Sequence, residues 1–167
     1  PSCSIIDEFH EHDSPELYDT MVTGQGARDQ PLSYIITTAG SNIAGPCYDK
    51  RAYAIKVLEG TLNDEALFAI IYTIDEDDDW TTEEALRKAN PNIGVSVGED
   101  YLFARQRTAM QSASQQNTFK TKHLNIWVGA RNAWMNMLAW QQCPPRKPLS
   151  ELTGRPCFAA LDLASKV

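Results

Sequence analysis

Short apolar runs alternate along this chain with longer segments that have helical spacing. Apolar runs at residues 4–6, 32–38 and 67–74 predict three buried strands. Between the first two, Ser14 and Pro15 suit the start of a helix, which gives the chain room to cross over. Strands separated by helices predict an α/β fold with a mostly parallel sheet.

Further helices are predicted from their start and stop signals. Pro46 opens one that Gly60 ends, and Thr81 with Glu84 forms a capping box for another. A further helix is predicted at 99–114, with a polar helix end and loop at 111–117. A strand or extended linker at 119–128 and a short apolar element at 133–140 follow. The last predictions are a Pro-rich linker at 142–148 and a strand from 157.

Composition places the chain among globular proteins. Its 167 residues are 43% apolar, which is too apolar for a disordered chain, and the net charge is −7. That charge is not the basic footprint of a DNA-binding domain, so a nucleic-acid contact would need a local basic patch. No apolar run approaches the ~20 residues of a membrane helix. The four scattered cysteines favour reduced thiols in a cytosolic protein.

The first strand runs directly into Asp7 and Glu8. An apolar strand that ends in Asp-Glu is the Walker B pattern, in which the Asp holds Mg²⁺ and the Glu orients or deprotonates the attacking water. The dipeptide is short and common, so a strand that simply exits into solvent is the alternative.

The second strand ends in Thr37, Thr38, Ala39 and Gly40. Small hydroxyl residues followed by Gly allow close approach to a phosphate, and such a strand end can sense the γ-phosphate of a nucleotide. An ordinary β-turn is the alternative for this motif alone. Because ligands bind beyond the carboxyl ends of parallel strands, the two motifs together predict one site.

Other candidates are weaker. Asp162 follows an apolar run and is a candidate metal ligand of a two-metal nuclease, or a surface residue. His10, Glu11 and His12 suggest zinc. The HxH pattern has no third ligand, however, so polar packing is the alternative. The acidic run at 75–79 lacks the pattern of a Ca²⁺ loop. Stacking on bases is open for three tryptophans, Trp127, Trp134 and Trp140. Contacts to phosphate are open for three basic residues, Arg28, Lys50 and Arg51.

The sequence contains no P-loop pattern GxxxxGK[ST], so it predicts an incomplete ATPase. The chain also opens and closes within apolar, strand-like segments. We therefore expect a piece of a longer protein.

Several separate motifs strongly resemble the large terminase subunit of tailed bacteriophages and prophages. They are IIDEFHEH at 5–12, GARDQPL at 26–32, IITTAGSN at 35–42, WTTEE at 80–84, KANPN at 88–92, GVSV at 94–97, and FKTKHLN at 119–125 with Trp127. The resemblance implies a DNA-packaging motor that joins an ASCE-type P-loop ATPase to a ribonuclease-H-like nuclease. It implies residues 1–142 as the end of the ATPase with its helical linker subdomain, 143–153 as a linker and 154–167 as the nuclease start.

The resemblance also assigns roles. Asp7 becomes the Walker B Mg²⁺ ligand, Glu8 the catalytic carboxylate, residues 37–40 the coupling motif and Asp162 the first metal-binding carboxylate of the nuclease. ATP with Mg²⁺, and Mg²⁺ or Mn²⁺ for the nuclease, are the implied cofactors. The implied partners are double-stranded DNA, the small terminase subunit and the portal or procapsid, with a homo-oligomeric ring in the host cytoplasm and no membrane. A non-catalytic assembly module and a zinc metallohydrolase remain the alternatives.

Overall fold

The computed structural model describes residues 2–129, 135–143 and 149–156. The described chain is mixed α/β, as the sequence predicts. Its strands are β1 (Cys3–Asp7) and β2 (Leu32–Ile36); its α-helices are α1 (Glu16–Thr23), α2 (Pro46–Leu58), α3 (Glu83–Ala89), α4 (Glu99–Gln111), α5 (Ala113–His123) and α6 (Met137–Gln141); 3₁₀ turns lie at Phe9–Glu11 and Leu149–Leu152.

β1 and β2 pair in parallel, and α1 lies in the segment that connects them. The register joins Cys3 to Leu32 at one end and Asp7 to Ile36 at the other. This confirms the predicted parallel pair. One face of β1 is buried through Ser4 and Ile6.

A small apolar core lies against this face of the sheet. It contains Ile6, Phe9 and Cys47, and the rings of Tyr18 and Trp127 pack against it. Trp127 meets Tyr48 of α2 edge to face, with 5.1 Å between ring centroids. The core therefore joins β1 to α2 and to the chain that follows α5.

A second core holds the helical part together. Its fully buried side chains include Leu86, Leu102, Ala109 and Leu124. These residues come from α3, α4 and the end of α5, so the amphipathic helices pack on one another.

The predicted third strand at 67–74 is wrong. The segment is extended, but no ladder forms among the described residues. Side chains bind it instead: Thr73 Oγ1 donates to the carbonyls of Leu124 and Asn125, each at 3.2 Å, and Asn125 Nδ2 donates to the Tyr72 carbonyl at 2.9 Å. Only Ile74 of this run is buried, so the segment is not covered on both faces.

The predicted loop at 111–117 is wrong over most of its length. The predicted strand or extended linker at 119–128 is wrong over 119–123, which are helical, whereas 124–128 form neither helix nor strand. A single break at Ser112 separates α4 from α5, which continues to His123. Polar side chains are buried and paired here: Gln116 Nε2 donates to Asn136 Oδ1 at 3.0 Å. Tertiary contacts therefore stabilise a helix whose sequence is too polar to predict one.

Helix boundaries follow the predicted signals closely, with shifts of one residue at the starts of α1 and α3. Pro15, rather than Ser14, is the cap residue of α1, and no side chain caps that helix. Pro46 is the first residue of α2, and Gly60 follows the helix with φ of 73°. The cap of α3 is Thr82, which accepts from the Ala85 amide at 3.2 Å, rather than the predicted Thr81. The Thr81 hydroxyl instead donates to Asp79.

Three predictions lie outside the described residues, either wholly or in part: the linker at 144–148, the strand from 157 and the apolar element before residue 135. The described part of that element forms α6. Asp162 and Trp134 lie in the same undescribed ranges.

Candidate functional site

The register of the sheet brings the two predicted motifs together. Asp7 pairs with Ile36 as the last residue of each strand, so Glu8 and Thr37 are the first residues beyond the same edge. Both strands run toward that edge, where open α/β sheets bind ligands. The shared location that the sequence predicts is therefore confirmed.

Glu8 turns the chain sharply at the end of β1. Its backbone is left-handed, with φ of 52° and ψ of 43°, a conformation that few non-glycine residues adopt. Asp7 Oδ1 accepts from the Glu8 amide at 2.9 Å, which stabilises the turn. The Glu8 side chain is 57% exposed and stands at the mouth of the site.

Thr37 connects the end of β2 to the turn after β1. Its Oγ1 accepts from the His10 amide at 3.0 Å and lies 3.0 Å from His10 Nδ1. The Thr37 hydroxyl donates to the Thr38 carbonyl at 2.9 Å. One side chain thus fixes the two motifs relative to each other.

The imidazole of His10 lies at the centre of the site, where its side chain is only 2% exposed. Its Nδ1 is 3.1 Å from Glu8 Oε2, and its Nε2 is 3.1 Å from Glu11 Oε1 and 2.7 Å from Lys122 Nζ. Burial, followed by the charge of Lys122, lowers the pKa of His10 below its ordinary value, against the opposing effect of the two glutamates.

Lys122 is a site residue that lies within the motif FKTKHLN at 119–125, but the sequence gives it no role in the site. It extends from α5 to the strand ends, and its Nζ also donates to Thr38 Oγ1 at 3.2 Å and lies 3.9 Å from Glu8 Oε2. It is separated from His10 by 112 positions in sequence. No local spacing pattern can reveal such a contact.

Gly40 permits close packing at the end of the segment 37–40. A Cβ on this residue would lie 3.0 Å from His10 Cδ2 and 3.1 Å from His10 Cβ. The preceding Ala39 is buried, and the Gly40 carbonyl accepts from the Val128 amide at 3.2 Å. The segment is therefore held between the His10 ring and the chain that follows α5.

A hydrated Mg²⁺ that is shared with a phosphate needs fewer protein ligands than a metal enclosed by protein. Among the residues that the structure describes, no cluster of three or more His, Cys, Asp and Glu side chains can hold a metal ion. Mg²⁺ commonly keeps several waters and takes one or two carboxylates together with substrate phosphates. The exposed carboxylate of Asp7 can serve in that way.

Several of the weaker candidates have structural roles, whereas Trp140 of α6 is 57% exposed. His12 packs against the Phe9 ring at 5.3 Å while His10 engages Lys122, so the two histidines have different partners. In the acidic run, Asp75 and Asp78 accept from Lys88, and Asp79 accepts from Thr81. Trp127 belongs to the small core.

Comparison with known proteins defines the class. The family model for the terminase large subunit ATPase domain matches residues 1–56, and the model for the terminase large subunit endonuclease domain matches residues 61–167. The chain belongs to the terminase large subunit family.

Two curated proteins and one crystal structure are similar to it. Protein YmfN of Escherichia coli (strain K12) is 53% identical over 100% of this chain and 37% of its own length. The large terminase subunit of Enterobacteria phage HK97 is 26% identical over 99% of this chain and 32% of its own length. The crystal structure of the HK97 bacteriophage large terminase matches with a TM-score of 0.66 and 26% identity, over 76% of this chain and 26% of that one.

This chain therefore spans about a third of the length of the two curated relatives. Among the described residues, no helix has both the length and the apolar character needed to cross a membrane.

Proposed function

We propose that this chain is the central part of an ATP-driven motor that moves phage DNA into a procapsid and cuts it with a metal-dependent endonuclease. The observation that carries the proposal is the parallel register that pairs Asp7 with Ile36. It sets Asp7 and Glu8 beside Thr37 and Thr38, which is the arrangement that ATP hydrolysis with a coupling motif requires. The family membership supports the same reading.

In this proposal Asp7 would hold Mg²⁺ together with the phosphates of ATP. The bound ion would neutralise charge on the phosphates as the terminal bond breaks. Glu8 orients the attacking water and accepts its proton. The His10 ring beside Glu8 Oε2 and the left-handed turn after Asp7 hold that carboxylate in place.

Residues 37–40 act as the coupling motif. Thr37 is bonded to the His10 backbone, Thr38 to Lys122, and Gly40 to Val128. A shift of the strand end after phosphate loss would therefore be transmitted to α5 and to the chain that follows it. This physical connection supports the role of the motif in moving DNA.

The nuclease part of the proposal rests on family membership. Asp162 is proposed as its first metal ligand, with Mg²⁺ or Mn²⁺ as the ion; the residue lies outside the described ranges. Double-stranded DNA, the small subunit, the portal or procapsid and a ring of identical subunits in the host cytoplasm are the proposed partners and setting.

The domain division also remains a proposal. The predicted linker is at 143–153, with the nuclease from 154, whereas the two family models meet between residues 56 and 61. Apolar side chains exposed on the sheet, such as Ile5 at 69% and Leu32 at 54%, support a setting in which further parts of a longer protein cover them.

Two substitutions in the full-length polypeptide test the proposal. Asp7→Asn is expected to abolish Mg²⁺-dependent ATP hydrolysis while DNA cleavage persists. Asp162→Asn is expected to abolish cleavage while ATP hydrolysis persists. The proposal is contradicted if neither variant loses its activity.

A non-catalytic assembly module is the competing function. In that case α3, α4 and the tryptophan-containing segment at 133–140 would mediate protein contacts without nucleotide. Titration of ATP into the 167-residue chain adds a further check: because the sequence lacks a P-loop, tight Mg²⁺-dependent binding would contradict our assignment of the motifs.

A further inference from the structure

The contact between α5 and the strand ends is chemically specific. Lys122 Nζ lies 2.7 Å from His10 Nε2 and 3.2 Å from Thr38 Oγ1, so an ammonium faces two acceptors. Its position also joins regions that match two different family models, since Lys122 falls in the endonuclease range and His10 and Thr38 in the ATPase range.

The hydrogen-bond pattern determines which ring nitrogen carries the proton. An ammonium has donors and no acceptor, so Nε2 must be the unprotonated nitrogen that accepts from Lys122. The proton then lies on Nδ1. From there it can be shared between Glu8 Oε2 at 3.1 Å and Thr37 Oγ1 at 3.0 Å.

Among the described residues, three charged groups face the ring, namely Glu8, Glu11 and Lys122. Glu11 Oε1, 3.1 Å from Nε2, would favour a proton on that nitrogen. The shorter contact to Lys122 opposes it, because a protonated Nε2 would place an N–H against an ammonium at 2.7 Å. Burial of the ring also disfavours the imidazolium.

We infer that Lys122 is a positioning residue for Glu8: from α5 it holds the His10 imidazole in the Nδ1-protonated tautomer, and the Nδ1–H fixes the Glu8 carboxylate at the end of β1. The catalytic consequence rests on the proposed function of Glu8. The tautomer itself is argued from the contacts of the ring with Lys122, Glu8 and Glu11 and from its burial, without reference to catalysis. Nothing in the family motifs on which the site was predicted assigns this role to Lys122.

The first measurement is made on the unsubstituted chain. Long-range ¹H–¹⁵N correlation of His10 near neutral pH is expected to show a protonated Nδ1 and an unprotonated Nε2. A proton on Nε2, or a doubly protonated ring, would overturn the inference. This measurement needs no variant and therefore stands whether or not a substituted protein folds.

The second measurement is ATP hydrolysis by the full-length polypeptide. Lys122→Gln is expected to lower kcat by roughly ten- to a hundredfold, with KM little changed, because a displaced catalytic group slows the chemical step. Lys122→Arg keeps a charged donor and is expected to restore most of the rate. Lys56→Gln, the same change at an exposed residue of α2, serves as the control.

Glu8→Gln separates this inference from the function on which it depends. If Glu8→Gln abolishes turnover while Lys122→Gln matches the unsubstituted protein, the inference fails and the proposed function stands. If Glu8→Gln leaves turnover unchanged, the proposed function fails. An equal loss of rate in Lys122→Arg and Lys122→Gln would also contradict the positioning role.

Discussion

Gly40 packs its Cα directly against the imidazole of His10. A methyl group at residue 40 would lie 3.0 Å from Cδ2 of that ring, closer than carbon atoms normally approach. The segment 37–40 and the turn after β1 therefore touch through a glycine, and the His10 ring lies between Gly40, Thr37 and Lys122.

Substitution of Gly40 tests this close packing. Gly40→Ala is expected to lower the free energy of unfolding by about 1–3 kcal/mol, because the ring or the strand end must move. Gly129→Ala is the control, since a Cβ there meets nothing within 4 Å. The two free energies of unfolding are measured by urea denaturation, and equal values for the variants would contradict the packing.

The cap of α3 provides a second test. Thr82→Ala removes the hydroxyl that accepts from the Ala85 amide, so it is expected to lower the free energy of unfolding by about 1 kcal/mol. Thr81→Ala removes only an exposed contact to Asp79, and a change within about 0.5 kcal/mol is expected. Denaturation of both variants decides whether Thr82 is the cap; a larger loss at Thr81 would restore the sequence-based assignment.

Two histidines with lowered pKa values predict how stability depends on pH. Burial lowers the pKa of His10 and of His123 below the ordinary value of 6.5, with contributions from Lys122 and Arg105 respectively. Below that value the unfolded chain binds protons that the folded chain does not. The free energy of unfolding therefore decreases as the pH is lowered. The fall ends once the pH passes below the folded-state pKa values.

Denaturation at a series of pH values between about 7.5 and 5.5 measures this slope. The double variant His10→Gln, His123→Gln is expected to flatten it, whatever its absolute stability. A slope that persists undiminished in the double variant would assign the pH dependence to other groups.

The sheet and the location of the site follow from local patterns. An apolar run that ends in Asp7-Glu8, and another that ends in Thr37-Thr38, suffice to predict parallel strands with a shared edge, because a crossover segment separates them. Pro46 predicts the start of α2 because its fixed φ suits a first helical turn.

The failures have a physical cause in tertiary contacts. The polar start of α5 carries little helical signal, and its helix depends on buried partners such as Gln116 with Asn136. The apolar run at 67–74 lacks a ladder partner among the described residues and is bound through Thr73 and Asn125. Lys122 and His10 are 112 positions apart in sequence, so no local pattern contains that contact.

The most direct test of the site is ATP turnover by the full-length polypeptide carrying Glu8→Ala. Loss of a carboxylate that accepts the proton of the attacking water is expected to lower kcat by about 10²- to 10⁴-fold. Glu16→Gln, at the exposed start of α1, serves as the control and is expected to leave the rate unchanged. ATP turnover that is equally fast with and without the Glu8 carboxylate would contradict the assignment of this edge of the sheet as the site of hydrolysis.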